Sequence, residues 1–341
     1  MTPRKIAAVL AALAMSMALP GCGGAPNVTG AEPASAGEGA TQYPLTLENC
    51  GEQVTIGAAP QRAVTMNQTA AEILIHLGVA DRIVGTGYEI DKVPEEIAAE
   101  YEKIPMISAH GQPPKHEALL EVQPDFAYSS FASFFSPTEG GERDVLHGLG
   151  VPTYVTEFDC VYHEAVADAS FELLFEEYRN LAKIFDMPTA GDKLVAEQQT
   201  VIDGGLETAK RIEGTPTVMW FYSTYAGTPW AAGPGGIPQH VSELVGVKNI
   251  FDDATTKWPE VSWDGVAARN PEVIILADLT RGEPGDTAQE KIDLLKNDPL
   301  TSKLDAVAND RFVIIPGRYM DPSYGSAYAV PALAEGLIGL Q

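Results

Sequence analysis

Cysteine is scarce in this chain, with three in 341 residues, at positions 22, 50 and 160. No C-x-x-C pair occurs, which removes the common dithiol and zinc-ribbon spacings. The six histidines, at 76, 110, 116, 147, 163 and 240, contain no i, i+4 pair and no close cluster, so no direct metal site is expected. Basic residues are also few, 22 against 47 acidic ones, for a formal net charge of -25. A surface of that sign repels phosphate backbones and anionic lipid headgroups, which excludes nucleic acid and polybasic membrane attachment. The chain lacks G-x-S-x-G, H-E-x-x-H and G-x-x-x-x-G-K-[ST]. An anchored hydrolase would therefore need a nucleophile that no motif advertises, and no enzyme activity is expected. No repeat of 20–50 residues is visible, which argues against a solenoid.

The start of the chain is the exception to this restraint. Arg4 and Lys5 precede an apolar run over 6–19, and Leu19-Pro20-Gly21-Cys22 follows. The run falls short of the roughly 18 residues a spanning helix needs, so a cleaved secretory leader over 1–21 is expected. Cysteine after a small residue, followed by Gly23 and Gly24, resembles the lipobox of bacterial lipoproteins, in which that thiol is acylated. Pro20 stands where a small residue is usual. The resemblance implies lipidation at Cys22 and a location on the outer face of the cell membrane, with simple cleavage or a free thiol as the alternatives.

From 23 to 41 the chain is mostly Gly, Ala, Pro, Ser, Thr, Glu and Asn, without a pattern that could bury a core. A flexible tether over 22–42 follows, with a reach on the order of 25 Å. Some three hundred residues remain, more than one core commonly serves. In an exported chain Cys50 and Cys160 most simply pair, against the alternative of two buried free thiols.

The body reads as alternating strands and helices. Strands are expected over 43–47, 53–56, 62–66, 82–86, 104–107, 125–129 and 153–155, with helices over 70–77, 94–101, 116–122 and 141–149 between the later ones. Two long helical stretches follow, 165–185 and 188–212, the second opening on Pro188. Alternation then resumes, with strands over 217–222, 273–277 and 311–315, and helices over 238–245, 264–268, 292–295 and 326–340. The fold class is therefore α/β: two doubly wound lobes with mainly parallel sheets, 43–164 and 214–341, joined through a helical segment, 165–213, that includes one long interlobe helix.

Several stretches carry a family resemblance. The run Pro60-Gln61-Arg62-Ala63-Val64-Thr65-Met66-Asn67, the later Leu77-Gly78-Val79-Ala80-Asp81-Arg82-Ile83-Val84-Gly85, Gln123-Pro124-Asp125, Trp258-Pro259-Glu260-Val261-Ser262-Trp263-Asp264 and Arg269-Asn270-Pro271-Glu272-Val273-Ile274 stand in a specific order. Together they resemble class III substrate-binding proteins of ABC importers for ferric siderophores, haem and cobalamin. The resemblance implies two α/β lobes bridged by a long helix, a ligand held in the cleft, small closure motions and permease partners. It also implies that Glu117 and Asp264, seven residues before Pro124 and Pro271, meet arginines of the membrane subunits. Asp stands at 264 where Glu is usual. Both acids could instead serve as first-turn charges at helix N-termini.

Loops at the carboxyl ends of parallel strands are where a ligand should sit. They offer Tyr88, His110, Phe131, Tyr222, Tyr225, Trp258 and Arg318 as ligand-binding candidates, with Tyr88, His110 and Trp258 at positions where the resemblance implies ligand-facing side chains. Phe131, Phe134 and Phe135 are either a cleft wall or a staple for the next helix. Aromatic rings suit a large, mostly apolar chelate. A strongly anionic catecholate would favour several converging arginines, and only Arg281 and Arg318 lie at strand ends. The expected cargo is a neutral or weakly charged ferric siderophore such as a hydroxamate, with no resident cofactor. Haem, ligated by His110 and a tyrosine such as Tyr222 or Tyr225, and cobalamin are the alternatives. The protein is expected to act as a monomer.

Overall fold

A computed structural model describes residues 37–341 apart from 162, 163, 168 and 226. The expected leader 1–21, the lipidation site Cys22, the tether up to 36 and His163 lie outside the described residues. Strands β1 (Leu45–Asn49) and β2 (Glu52–Ile56) form an antiparallel hairpin with Leu45 opposite Ile56. Its two turn residues, Cys50 and Gly51, both take positive φ, 53° and 76°, as a two-residue hairpin of matching twist requires. The hairpin is pinned to the first lobe by a disulfide from Cys50 to Cys160, with Cα atoms 5.0 Å apart. Closing a loop of this size contributes about 4–5 kcal/mol on the chain-entropy account. Asn49 adds a second attachment, donating to the Val155 carbonyl at 2.8 Å and accepting from the Val155 N–H at 2.9 Å.

The first sheet holds β3 (Ala63–Thr65), β4 (Ile83–Gly85), β5 (Phe126–Ser129) and β6 (Thr153–Val155) in the order β4-β3-β5-β6, all parallel. Helices α1 (Gln68–His76), α2 (Ala98–Tyr101), α3 (His116–Glu121) and α4 (Arg143–Gly148) connect and cover it. Strands β3, β5 and β6 are buried throughout, the state expected of a parallel sheet covered on both faces. The expected strand over 104–107 is reduced to a single bridge between Thr86 and Met106. Pro105 lies in its middle and cannot donate to a ladder.

The chain then crosses to the second lobe through α5 (Phe171–Ile184) and α6 (Pro188–Ala209). The expected helix from 165 begins six residues late, because Ser170 caps it by accepting from the Leu173 N–H at 3.4 Å. The stretch before it is engaged elsewhere: Val166 donates to the Gly235 carbonyl at 3.2 Å and Glu164 bridges Thr256. The 22-residue α6, about 33 Å long, runs unbroken through Gly204 and Gly205. Gly205 is a packing residue, since a Cβ there would lie 2.6 Å from the Pro331 nitrogen. At the junction of the two helices Asp186 takes φ 58°. Its carboxylate accepts the N–H groups of Gly39, Ala40 and Thr41 at 2.6, 2.9 and 2.8 Å. Glu38 in turn accepts from the N–H groups of Thr189 and Ala190 at the start of α6. Residues 38–41, expected to be tether, are thus fastened to the body by backbone groups and an acid at a helix N-terminus, neither of which leaves a hydrophobic signal.

The second sheet has β7 (Thr217–Tyr225), β8 (Thr228–Ala231), β9 (Lys248–Asn249), β10 (Val273–Asp278) and β11 (Phe312–Pro316). Its order is β11-β10-β7-β8, with β9 also on β7, and only β8 runs antiparallel. Strand β8 was not expected because Pro229 interrupts it, which an edge strand tolerates. Helices α7 (Ile237–Val245), α8 (Trp263–Arg269), α9 (Ala288–Asn297), α10 (Asp305–Ala308) and α11 (Ala329–Gly339) complete the lobe. A 3₁₀ stretch, Tyr324–Tyr328, opens the closing helix expected over 326–340.

The described residues cluster as one unit. One apolar core is continuous through both lobes, from Val54 and Phe126 through Leu174, Tyr178 and Ile202 to Trp220 and Leu333. Separate clusters fill the outer faces of the two sheets. No helix among the described residues is long and apolar enough to cross a membrane.

Candidate functional site

The carboxyl ends of β4, β5 and β6 face those of β7 and β11 across a cleft. An inner cavity of about 380 Å³ there is lined from both lobes. The first lobe contributes a cluster of rings, with Tyr88 and Phe134 at 4.9 Å, Tyr88 and Phe131 at 5.8 Å, and Phe131 and Phe134 at 5.0 Å between centroids. Tyr88 is held there in a left-handed backbone conformation, φ 45°, by a hydrogen bond from its N–H to the Gln112 carbonyl at 2.9 Å. Strained non-glycine backbone of this kind persists where the surroundings impose it, often at ligand sites. From the second lobe come the pairs Tyr222 with Trp258 at 5.1 Å and Tyr225 with Trp230 at 5.5 Å. Phe135 points away and packs in the outer core with Met66 and Leu119, so the three phenylalanines divide between the two roles open to them.

The polar groups are few and tightly placed. Asp159, after β6, forms an ion pair across the lobes with Lys257, and both are buried. The Lys257 ammonium also donates to the Phe158 carbonyl at 2.5 Å, and Asp159 Oδ2 accepts the Ala132 N–H at 2.9 Å. Burial raises the Asp159 carboxyl, against the pull of Lys257. On the second lobe Asp321 is 4 % exposed, and its Oδ2 has no hydrogen-bond partner among the described residues. Burial pushes its carboxyl up to about 7, opposed chiefly by the charge of Arg281. Arg281 is itself paired with Asp286 and donates to the Tyr225 hydroxyl at 2.5 Å. Its guanidinium stands 5.7 Å from the Tyr222 ring centre and 5.4 Å from that of Tyr225.

Five of the seven expected ligand-facing residues, Tyr88, Phe131, Tyr222, Tyr225 and Trp258, line this cavity. The other two do not. His110 lies in an outer compartment of about 700 Å³ that shares Tyr88 and Tyr225 with the inner one. Its side chain is 62 % exposed, with Nε2 3.2 Å from the Arg281 carbonyl. A haem axial role facing Tyr222 in the inner cavity is not what this placement offers. Arg318 is turned instead toward the first lobe, 3.5 Å from Asp91 and 4.0 Å from the buried Glu72. Glu117 and Asp264 are both exposed in the first turns of α3 and α8, on different lobes. Asp159, Lys257 and Asp321 were missed by the sequence reading. Lys257 and Asp321 lie in loops and Asp159 ends a 3₁₀ turn, Glu157–Asp159; Asp159 and Asp321 follow β6 and β11 closely, so the strand-end rule reached their neighbourhood. Selection by aromatic character passed over them.

Comparison with known proteins agrees with this geometry. The family described as periplasmic binding protein matches residues 64–319. The chain is 25 % identical over 244 residues to a vitamin B12-binding protein of Vibrio parahaemolyticus, covering 69 % of this chain and 77 % of that one. Among solved structures, a periplasmic binding protein from Veillonella parvula superposes with a TM-score of 0.75 at 25 % identity, over 86 % of this chain and 97 % of that one. A protein of an ABC-type Fe3+-hydroxamate transport system from Saccharomonospora viridis gives 0.72 at 22 % identity, over 86 % and 99 %. With the family match spanning both lobes and the cleft between them, this chain belongs to the periplasmic binding proteins.

Proposed function

We propose that this protein is the extracytoplasmic, lipid-anchored binding component of an ABC-type importer, and that it captures a neutral or weakly charged ferric siderophore and hands it to a permease. The observation that carries the reading is the inner cavity: largely apolar and rich in aromatic rings, built from both lobes, with its cation Lys257 already matched, as is Arg281 in the adjoining outer compartment. Lys257 is engaged by Asp159 and Arg281 by Asp286. A triply anionic catecholate would have to break those pairs, whereas a hydroxamate chelate, whose polar oxygens turn toward the iron, needs mainly flat apolar walls. The fold shared with the Fe3+-hydroxamate transport protein supports the same class. Binding leaves the chelate unchanged; no step of catalysis is involved, and a single copy supplies every lining residue.

Cobalamin is the second reading. It is favoured by the sequence relatives that bind vitamin B12 and by the outer compartment, which would extend the inner one if Tyr88 and Tyr225 parted. Haem follows, its ligation by His110 requiring the outer compartment. Exposed Glu117 and Asp264, one on each lobe, are the docking carboxylates for the permease in this proposal; such rim charges set encounter rate and register more than affinity.

Trp230 and Trp258 in the cavity wall provide the assay. Titrating the purified mature protein with a ferric trihydroxamate, a ferric tris-catecholate, haem and cobalamin should give saturable one-to-one quenching by the trihydroxamate, with the chelate recovered intact. Preference for the catecholate sinks the charge argument. A haem Soret shift lost in His110→Ala moves the assignment to haem, and silence from all four removes the transport reading.

A further inference from the structure

Resting on the siderophore reading, we infer that Asp321 is a specificity residue that selects a ferric chelate carrying a pendant ammonium. The case begins with charge matching inside the cleft. Each cation that lines the two compartments near this point has its own carboxylate: Lys257 has Asp159, and Arg281 has Asp286. Of the acids lining the inner cavity, Asp159 is matched and Asp321 is left over. It is buried, lines the inner cavity, and one of its oxygens has no partner among the described residues. A buried carboxylate oxygen left without a donor costs free energy unless a bound group supplies one.

The residue is also held in place rather than loosely exposed. Ser326 Oγ donates to the Asp321 backbone carbonyl at 2.5 Å, and Ser323 Oγ donates to the Arg318 carbonyl at 2.7 Å. Ser323 and Ser326 cap each other in turn, so the loop between β11 and α11 is fixed before any ligand arrives. An anchor preorganised in this way loses little freedom on binding. An ammonium in the cavity pairs with this carboxylate through a charge-assisted hydrogen bond and restores charge balance to the cavity. A neutral hydroxyl or amide satisfies only the first requirement, and a carboxylate or catecholate oxygen meets neither.

The charged groups bearing on Asp321 are Arg281 and Lys257, which favour its ionised form, and Asp159 and Asp91, which oppose it. With its carboxyl pushed up to about 7 by burial, it is ionised at pH 8 and protonated at pH 5.5.

The test compares a linear ferric trihydroxamate ending in a primary amine with the same chelate acetylated at that nitrogen. At pH 8 the purified mature protein should bind the amine form about tenfold or more tightly than the acetylated one. Asp321→Asn should erase that preference by weakening binding of the amine form relative to the acetylated one, and pH 5.5 should shrink it in the parent protein. Because Asn removes an unpaired buried acid, the variant should melt no lower than the parent, which separates loss of selectivity from loss of fold. The ligand comparison in the parent protein stands even if the variant is unusable. Equal binding of both chelates overturns the inference alone. Failure of both to bind overturns it together with the siderophore reading, and a preference that survives in Asp321→Asn places the selectivity elsewhere.

Discussion

Replacing Lys257 by methionine should expose how much the interlobe ion pair matters. The lysine side chain is 7 % exposed, and its ammonium holds two acceptors, the Asp159 carboxylate and the Phe158 carbonyl. After the substitution Asp159 keeps only the Ala132 N–H at 2.9 Å, and its charge stays buried among Tyr88, Phe131 and Trp258. Breaking one side of such a pair costs about 3–5 kcal/mol, because the surviving charge is stranded. The loss should be largest at pH 8 and shrink toward pH 5, since protonation relieves an acid whose carboxyl burial already raises. Adding Asp159→Asn removes the stranded charge, so the double variant should return to within about 1 kcal/mol of the parent. Urea unfolding followed by circular dichroism at both pH values measures each term. If Lys257→Met costs less than about 1 kcal/mol at pH 8, or the double variant is no more stable than the single one, the pair is not desolvated in solution and the closed cleft does not describe the resting protein.

Two further outcomes are expected. Glu177 is buried against the Tyr128 hydroxyl and the Thr156 hydroxyl, and burial raises its carboxyl to about 7 from 4.5. The folded state therefore binds a proton that the unfolded state has released, so stability falls as pH rises from about 4.5 to 7. Glu177→Gln should flatten that decline by on the order of 3 kcal/mol in denaturant titrations, and an unchanged slope would refute the assignment. Charge reversal at the rim, Glu117→Lys or Asp264→Lys, should leave chelate affinity unchanged and slow cellular uptake. Normal uptake with only a lowered melting temperature would instead assign these acids to their helix N-termini.

The parts of this molecule that were legible in its sequence are those fixed locally. Strand β6 was read to the residue, and β3, β5 and β10 to within one or two, because fully buried runs of apolar residues announce a covered parallel strand. Pro188 announced α6. What escaped depends on partners far along the chain. Strand β8 exists because β7 offers an edge that tolerates Pro229, and residues 38–41 are ordered by Asp186, nearly 150 positions away. In the site most of the aromatics were legible because they lie in or just beyond the carboxyl-terminal parts of strands, Tyr222 and Tyr225 in β7 itself. Lys257 and Asp159 were not, since their burial follows from a meeting across 98 positions and nothing in either neighbourhood marks it.

The apolar core that runs unbroken from one lobe to the other bears on how this protein tells ligands apart. Drawing the lobes widely apart would wet buried side chains such as Tyr178 and Phe175, at roughly 25 cal/mol for each Å² of apolar surface uncovered. A poorly shaped guest therefore cannot be accommodated by a wide gape. Recognition has to be achieved by side chains around an almost fixed space, in the manner of a lock, and release has to be driven by something that pulls on the lobes from outside.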